Sequence, residues 1–170
     1  MRQIFTIIAF LTVLTLYSQD KCPAIVNWQY KGVVDIYDSP NGKVKQQMKN
    51  DSANEDFIYL DLLSQTDSYF YASVYYATKK DSVTGWIKKA DYIGAYKRHE
   101  VLPEMDLILY KDKNKSDANK VIILKWRTSL FTIEKFSDNW VFVSLHKNGE
   151  IFKGWIEKNE LCANTYSYCN

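Results

Sequence analysis

Alternation of apolar and polar residues is the strongest pattern along this chain. Val141 and Val143 fall on one face of an extended segment, while Trp140 and Phe142 fall on the opposite face. The segment at 68–78 alternates in the same way. A period of two is typical of half-buried β-strands, and no long segment shows the 3.6-residue period of an amphipathic helix. The pattern therefore predicts an all-β protein.

Turn signals divide the alternating segments into short strands. Asn148-Gly149 favours a two-residue hairpin, and Pro40-Asn41-Gly42 marks another turn. The predicted strands are Gly32–Tyr37, Lys43–Met48, Phe57–Gln65, Ser68–Thr78, Gly85–Lys88, Met105–Tyr110, Lys120–Lys125, Thr128–Phe136, Trp140–His146 and Glu150–Ile156.

The second half of the chain repeats the first. Gly85-Trp86-Ile87 recurs as Gly154-Trp155-Ile156, residues 67–75 match 138–146, and residues 34–37 match 107–110. Three matching segments in the same order indicate a duplicated domain. Five short strands in roughly 60 residues bury an apolar face by curling into a small barrel. We therefore expect domains at 24–96 and 104–162, a polar linker within Ala95–Glu104 and a tail at 163–170.

Two motifs of the second copy carry a family resemblance. The segment DNWVFV at 138–143, followed by the hairpin into GWI at 154–156, resembles the bacterial SH3-like (SH3b) domain. The first copy matches less closely, because Tyr69 stands where Trp is usual. The resemblance implies two tandem SH3-like β-barrels, with the ligand groove of the family at Trp140 and at its counterpart Tyr69. It does not imply one ligand, because SH3-like barrels host many functions.

The first nineteen residues are typical of a secretory signal peptide. Arg2 gives a basic start, and the thirteen residues from Ile4 to Leu16 carry no charge. Thirteen residues are too few for a membrane-spanning helix, which needs about 20. A cut after Ser18 or Gln19 would release the chain to the periplasm, cell surface or medium, with no transmembrane segment left. A retained signal anchor is the alternative.

Three cysteines would remain after cleavage, in a compartment where disulfides persist. They allow one bridge and leave one thiol over. We favour Cys162–Cys169, which closes a short loop, although Cys22 could instead reach either one. A catalytic role for Cys22 is not expected, because it lies beside Pro23 with no helix start or base to lower its pKa.

Charge and motif content exclude several functions. There are 22 basic and 20 acidic residues, a balance that does not favour nucleic acid as a partner. The sequence holds two histidines and lacks a glycine-rich phosphate loop, Gly-x-Ser-x-Gly and Cys-x-x-Cys. A catalytic site needs convergent titratable groups. We therefore expect a non-enzyme without cofactor or metal.

Aromatic residues make up 15% of the chain and supply its candidate binding surface. If Phe70, Ala72 and Val74 point inward, then Tyr69, Tyr71 and Tyr75 line the other face. Amphipathic rings on such a face suit extended peptides or glycans. The alternative is that the rings pack between the two barrels. The predicted ligand-binding residues are Trp140, Phe142, Tyr69, Tyr71, Trp155 and Trp86.

These observations predict an exported, non-catalytic binding protein. Its ligand would be a cell-wall peptide or glycan, or a segment of another protein. The alternative is an inhibitor or immunity-type protein that blocks a partner protein. A hydrolase is the least supported, because no nucleophile and base are evident.

Overall fold

The computed structural model describes residues 21–79, 81–98, 105–126 and 129–164. Its regular structure is almost entirely β. The strands are β1 (Cys22–Val26), β2 (Val34–Tyr37), β3 (Val44–Met48), β4 (Ile58–Gln65), β5 (Tyr69–Tyr76), β6 (Ser82–Lys88), β7 (Ile93–Lys97), β8 (Met105–Tyr110), β9 (Lys120–Trp126), β10 (Phe131–Ser137), β11 (Trp140–Lys147), β12 (Glu150–Glu157) and β13 (Leu161–Cys162). Two single turns of 3₁₀-helix cover Asp117–Asn119 and Lys158–Glu160. The all-β prediction is confirmed.

Every predicted strand overlaps a strand of the structure, but β1, β7 and β13 were not predicted. Four of the five residues of β1 are buried, and so are four of the five in β7. Strands buried on both faces do not alternate, so their sequences lack the signal. The predicted polar linker is wrong at its start, because Ala95 and Tyr96 are buried within β7.

The strand order makes the duplication visible. One antiparallel sheet runs β3-β2-β6-β5-β4-β1-β7-β10-β11-β12-β8-β9, and β13 pairs with β7 outside this path. The five strands β2 to β6 occupy the same relative positions as the five strands β8 to β12. Each copy is thus a hairpin followed by a three-stranded meander.

Strand β7 belongs to both copies. It pairs with β1 at Gly94 and Ile93, with β10 at Ala95 and Gly94, and with β13 at Lys97 and Tyr96. It therefore ends the first copy and begins the second. Two separate tandem barrels are not confirmed, because the shared strand joins both copies into one continuous sheet.

Gly94 makes this sharing possible. It is paired with Ile25 on one side and with Thr132 on the other. A Cβ at this position would lie 1.9 Å from the backbone oxygen of Phe131. Only a residue without a side chain allows the two copies to approach so closely.

A shared core and a polar bridge hold the copies together. One buried cluster contains Ile36 and Phe70 of the first copy together with Leu109 and Val141 of the second. Beside it, the side-chain amide of Gln65 donates to the backbone carbonyl of Phe136 and accepts from its N–H. The copies thus share both apolar burial and hydrogen bonds.

The three residues of the repeated Gly-Trp-Ile motif have different structural roles. A Cβ on Gly85 would lie 2.6 Å from Ile36, and one on Gly154 would lie 2.7 Å from Leu109. The glycine therefore lets the hairpin of each copy cross close to the meander. The isoleucine is buried, and the tryptophan lies half-buried on the other face.

Some predictions concern residues that the structure does not describe. Residues 1–19, the predicted signal peptide, and Cys169 lie outside the described residues. Cys22 and Cys162 are buried, at 0% and 2% exposed. Because Cys169 is not described, the Cys162–Cys169 bridge stays a prediction, and so do its alternatives through Cys22. In the described ranges, no helix is long and apolar enough to cross a membrane.

We predict that the second copy folds only when β7 is included. Without β7, both β13 and the start of β10 lose their partners on that strand. A fragment of residues 92–164 should give a dispersed ¹H–¹⁵N spectrum, whereas residues 105–164 should give the narrow spectrum of an unfolded chain. A dispersed spectrum from the shorter fragment would contradict the shared-strand assignment.

We also predict that Gly154→Ala destabilises the protein by about 1–3 kcal/mol, the usual cost of overpacking. The added methyl group would collide with Leu109. The exposed Glu150 lies on the same strand, so Glu150→Ala is the control and should change stability by less than about 0.5 kcal/mol. Urea unfolding followed by tryptophan fluorescence measures both.

Candidate ligand-binding surface

Each copy carries four aromatic rings at equivalent positions of one sheet face. The first row consists of Tyr37, Tyr69, Tyr71 and Trp86. The second row consists of Tyr110, Trp140, Phe142 and Trp155. Both rows are built from the first strand of the hairpin and the last two strands of the meander.

Strand register places these rings side by side. Trp86 pairs with Tyr37 on β2 and with Tyr71 on β5. Trp155 pairs in the same way with Tyr110 on β8 and with Phe142 on β11. Since directly paired residues share a face, a tryptophan lies at the centre of each row.

The ring geometry is repeated as well. The Tyr71 and Trp86 ring centroids are 5.1 Å apart, and those of Phe142 and Trp155 are 5.2 Å apart. At the other end, Tyr37 meets Tyr69 edge to face at 5.9 Å. The equivalent second-row pair, Tyr110 and Trp140, also meets edge to face, at 5.8 Å. Such pairs fix ring orientation, and each adds about 0.5–1.5 kcal/mol of stability beyond that of burying the rings.

The two rows differ in which ring is covered. Tyr69 is only 7% exposed, and its hydroxyl donates to Oδ1 of Asn41 at 3.0 Å. In the second row Tyr110 is the covered ring, at 8% exposed, whereas Trp140 is half-buried. The SH3b resemblance assigns the ligand groove to Trp140 and Tyr69. Of these two rings, Trp140 is accessible and Tyr69 is covered.

The other predicted binding residues, Tyr71, Trp86, Phe142 and Trp155, are half-buried members of the rows. Sequence reasoning missed Tyr37 and Tyr110 as row members. The signal was present, because both occupy the same position in the third repeated segment. Tyr75 does not extend the first row, since its ring stacks on Tyr59 at 6.0 Å.

The rows do not form the junction between the copies. In the described part of the chain, the ring contacts of all eight residues lie within their own copy. At the junction, the rings of Phe70 and Phe136 lie 6.2 Å apart from centroid to centroid. Gln65 and Lys89 of the first copy also donate hydrogen bonds to backbone carbonyls of the second. Packing between two barrels therefore does not account for the rows.

Lysines surround the second row. The ammonium of Lys135 lies 5.0 Å from the Phe142 ring centroid and 5.3 Å from that of Trp155. Lys113 lies 5.7 Å from the Trp155 centroid and 3.4 Å from Asp138. Hydrogen bonds from Ser137 and Lys113 lower the pKa of Asp138, so this carboxylate stays ionised at neutral pH. The row is both aromatic and charged.

A polar cavity away from both rows has a structural role. A polar cavity of about 740 Å³ lies between the β3–β4 loop and the end of β5. Its two buried polar residues are satisfied internally: Asn50 accepts from Ile58 N–H, and Asp56 accepts from the Thr78 hydroxyl. Among the described residues, no group of three or more His, Cys, Asp or Glu side chains could hold a metal ion.

Comparison with known proteins gives a single remote likeness to report. No family model matches the chain, and no curated protein matches it. The structure of NlpC1 from Trichomonas vaginalis is 15% identical, with a TM-score of 0.33. The match covers 95% of this chain but 51% of that one, so this chain spans about half its length.

We predict that Trp140→Ala lowers stability by only about 1–2 kcal/mol, because the ring is half-buried and rests on Tyr110 alone among the described aromatic contacts. Trp126 is 2% exposed, so Trp126→Ala should cost about 3–5 kcal/mol, as expected for a buried tryptophan. Thermal and urea unfolding measure both variants. Equal losses would mean that Trp140 is a core residue.

Proposed function

We propose that this chain is an exported, non-catalytic binding protein with two SH3-like copies, and that it binds an extended cell-wall peptide through its aromatic rows. The second row is the stronger site, because its Trp140 is accessible while the equivalent Tyr69 is covered.

One observation carries the proposal: the duplication keeps four rings at matching positions on a face that the core does not use. Inward-facing positions of both copies are fully buried, as at Phe70 and Val141. Six of the eight row residues remain half-buried instead, while Tyr69 and Tyr110 are covered. Half-exposed aromatic rings give large contact area at low entropic cost and are enriched among binding hot spots.

The element order supports the SH3-like assignment of each copy. A first strand precedes a long hairpin, a meander follows, and a short turn leads to a closing strand that pairs with the first. In the first copy β7 pairs with β1, and in the second β13 pairs with β7 after the turn Lys158–Glu160. The Gly-Trp-Ile motif lies on the last strand of both meanders.

A different observation favours the alternative, an inhibitor that binds a partner protein. Strand β9 ends the sheet and exposes Ile122 at 53% and Leu124 at 63%. The equivalent end strand β3 exposes one apolar residue, Val44 at 47%, followed by Lys45, Gln46 and Gln47. Apolar edge strands attract a further strand, so β9 would suit a protein partner.

The test is binding of the mature chain to purified insoluble peptidoglycan. Trp140→Ala should weaken retention at least about tenfold, equivalent to about 1.4 kcal/mol. Trp86→Ala, in the first row, should weaken it less. Trp28→Ala is the control, because Trp28 is 39% exposed but lies outside both rows, and it should bind normally.

The alternative predicts a different outcome in the same material. An inhibitor would not sediment with peptidoglycan but would co-purify from envelope extract with one protein at a 1:1 ratio. In that case substitutions at Ile122 and Leu124, rather than at Trp140, should release the partner. Normal sedimentation of Trp140→Ala would exclude the second row as the wall-binding site.

A further inference from the structure

The second row holds the ammonium group of a lysine over two of its rings. Lys135 lies over Phe142 and Trp155, at 5.0 and 5.3 Å from the ring centroids. Ring faces attract cations, so this contact holds the lysine at the row. In the part of the chain that the structure describes, Lys135 forms no ion pair.

Carboxylates near this row already have other partners. Glu134 pairs with Lys153 at 2.7 Å, and Glu157 pairs with Lys115 at 2.6 Å. Asp138 accepts from Ser137 and pairs with Lys113. None of these acids compensates the charge of Lys135.

A second ammonium, that of Lys89, is bound to the backbone of the residue that precedes Lys135. It donates to the side-chain oxygen of Gln65 at 3.2 Å and to the backbone carbonyl of Glu134 at 2.7 Å, both of them neutral acceptors. Burial lowers the pKa of Lys89, and the positive charge of Lys135 lowers it further, against the opposing effect of Asp67 and Glu134. Among the described residues, neither Lys89 nor Lys135 therefore pairs with a carboxylate.

The first row lacks this charge. Lys135 pairs with Phe142 across β10 and β11, and the equivalent residue opposite Tyr71 is Ser64. The residue equivalent to Lys113, three positions after the row tyrosine, is Pro40. The duplication thus placed lysines at these two positions in the second copy alone.

We infer that the second row is a subsite for an acidic extended peptide, in which a carboxylate pairs with Lys135 while an adjacent group stacks on Phe142 and Trp155. Charge complementarity selects this occupant, since an anion would supply the ion pair that Lys135 does not make with any described residue. Charge-assisted hydrogen bonds from lysine to carboxylate are short and about twice as strong as neutral ones. This inference rests on the proposed function and adds the ligand chemistry of one row.

The experiment uses three fluorescein-labelled octapeptides, (Glu-Tyr)₄, (Gln-Tyr)₄ and (Lys-Tyr)₄, titrated with the mature chain in 50 mM NaCl. Fluorescence anisotropy should show (Glu-Tyr)₄ binding at least about tenfold more tightly than (Gln-Tyr)₄, with (Lys-Tyr)₄ weakest. The preference should shrink in 0.5 M NaCl, because salt screens exposed charges. Equal affinity for the acidic and neutral peptides, or binding of neither, would overturn the inference.

Matched variants separate a local effect from net charge. Lys135→Gln should reduce the preference for (Glu-Tyr)₄ to below about threefold. Lys79→Gln is the control, since it removes the same charge and its ammonium also lies over a ring, 4.3 Å from the Tyr76 centroid, outside both rows. Equal losses from the two variants would show non-specific attraction and overturn the inference.

Two more variants connect this test to the proposed function. Ser64→Lys should give the first row the missing charge and raise the number of (Glu-Tyr)₄ molecules bound from one to two. Trp140→Ala should weaken the acidic and neutral peptides by the same factor, because it removes stacking and not charge. If Lys135→Gln abolishes the acidic preference while peptidoglycan sedimentation is unchanged, the subsite stands and the wall ligand does not depend on it.

Discussion

The backbone pairing of β7 is the constraint on which the rest of the sheet depends. Three strands pair with it, β1 from the first copy and β10 and β13 from the second. Gly94 takes part on both sides, where a side chain would collide with the backbone of Phe131. Each copy has about 65 residues, near the small end for independent folding. Sharing one strand and one core gives both copies the burial of a larger domain.

The shared strand also fixes how the rows relate to the core. Inward positions of β5 and β11 contribute Phe70 and Val141 to the common cluster. The alternate positions of the same strands contribute Tyr71 and Phe142 to the rows. Because the two sets of positions point to opposite faces, row chemistry can change without disturbing the core. The difference between Ser64 and Lys135 is such a change.

Much of the fold could be predicted from local pattern. Period-two alternation located the strands of both hairpins and both meanders, and the repeat in Gly-Trp-Ile aligned the copies. The buried strands β1, β7 and β13 could not be found in this way, because burial on both faces removes alternation. Residues 95–97 therefore looked like the start of a linker, although they form the strand that joins the copies.

Residue type and short-range spacing are enough to predict the all-β class, the duplication and the abundance of aromatic residues. Tertiary structure decided which rings are accessible, since Tyr69 is covered by its bond to Asn41 and by Tyr37 while Trp140 is not. It also decided that Lys135 lies over the rings of Phe142 and Trp155. Pairing between residues distant in the chain, such as Glu134 with Lys153 and Gln65 with Phe136, follows from strand register, which composition and spacing do not specify.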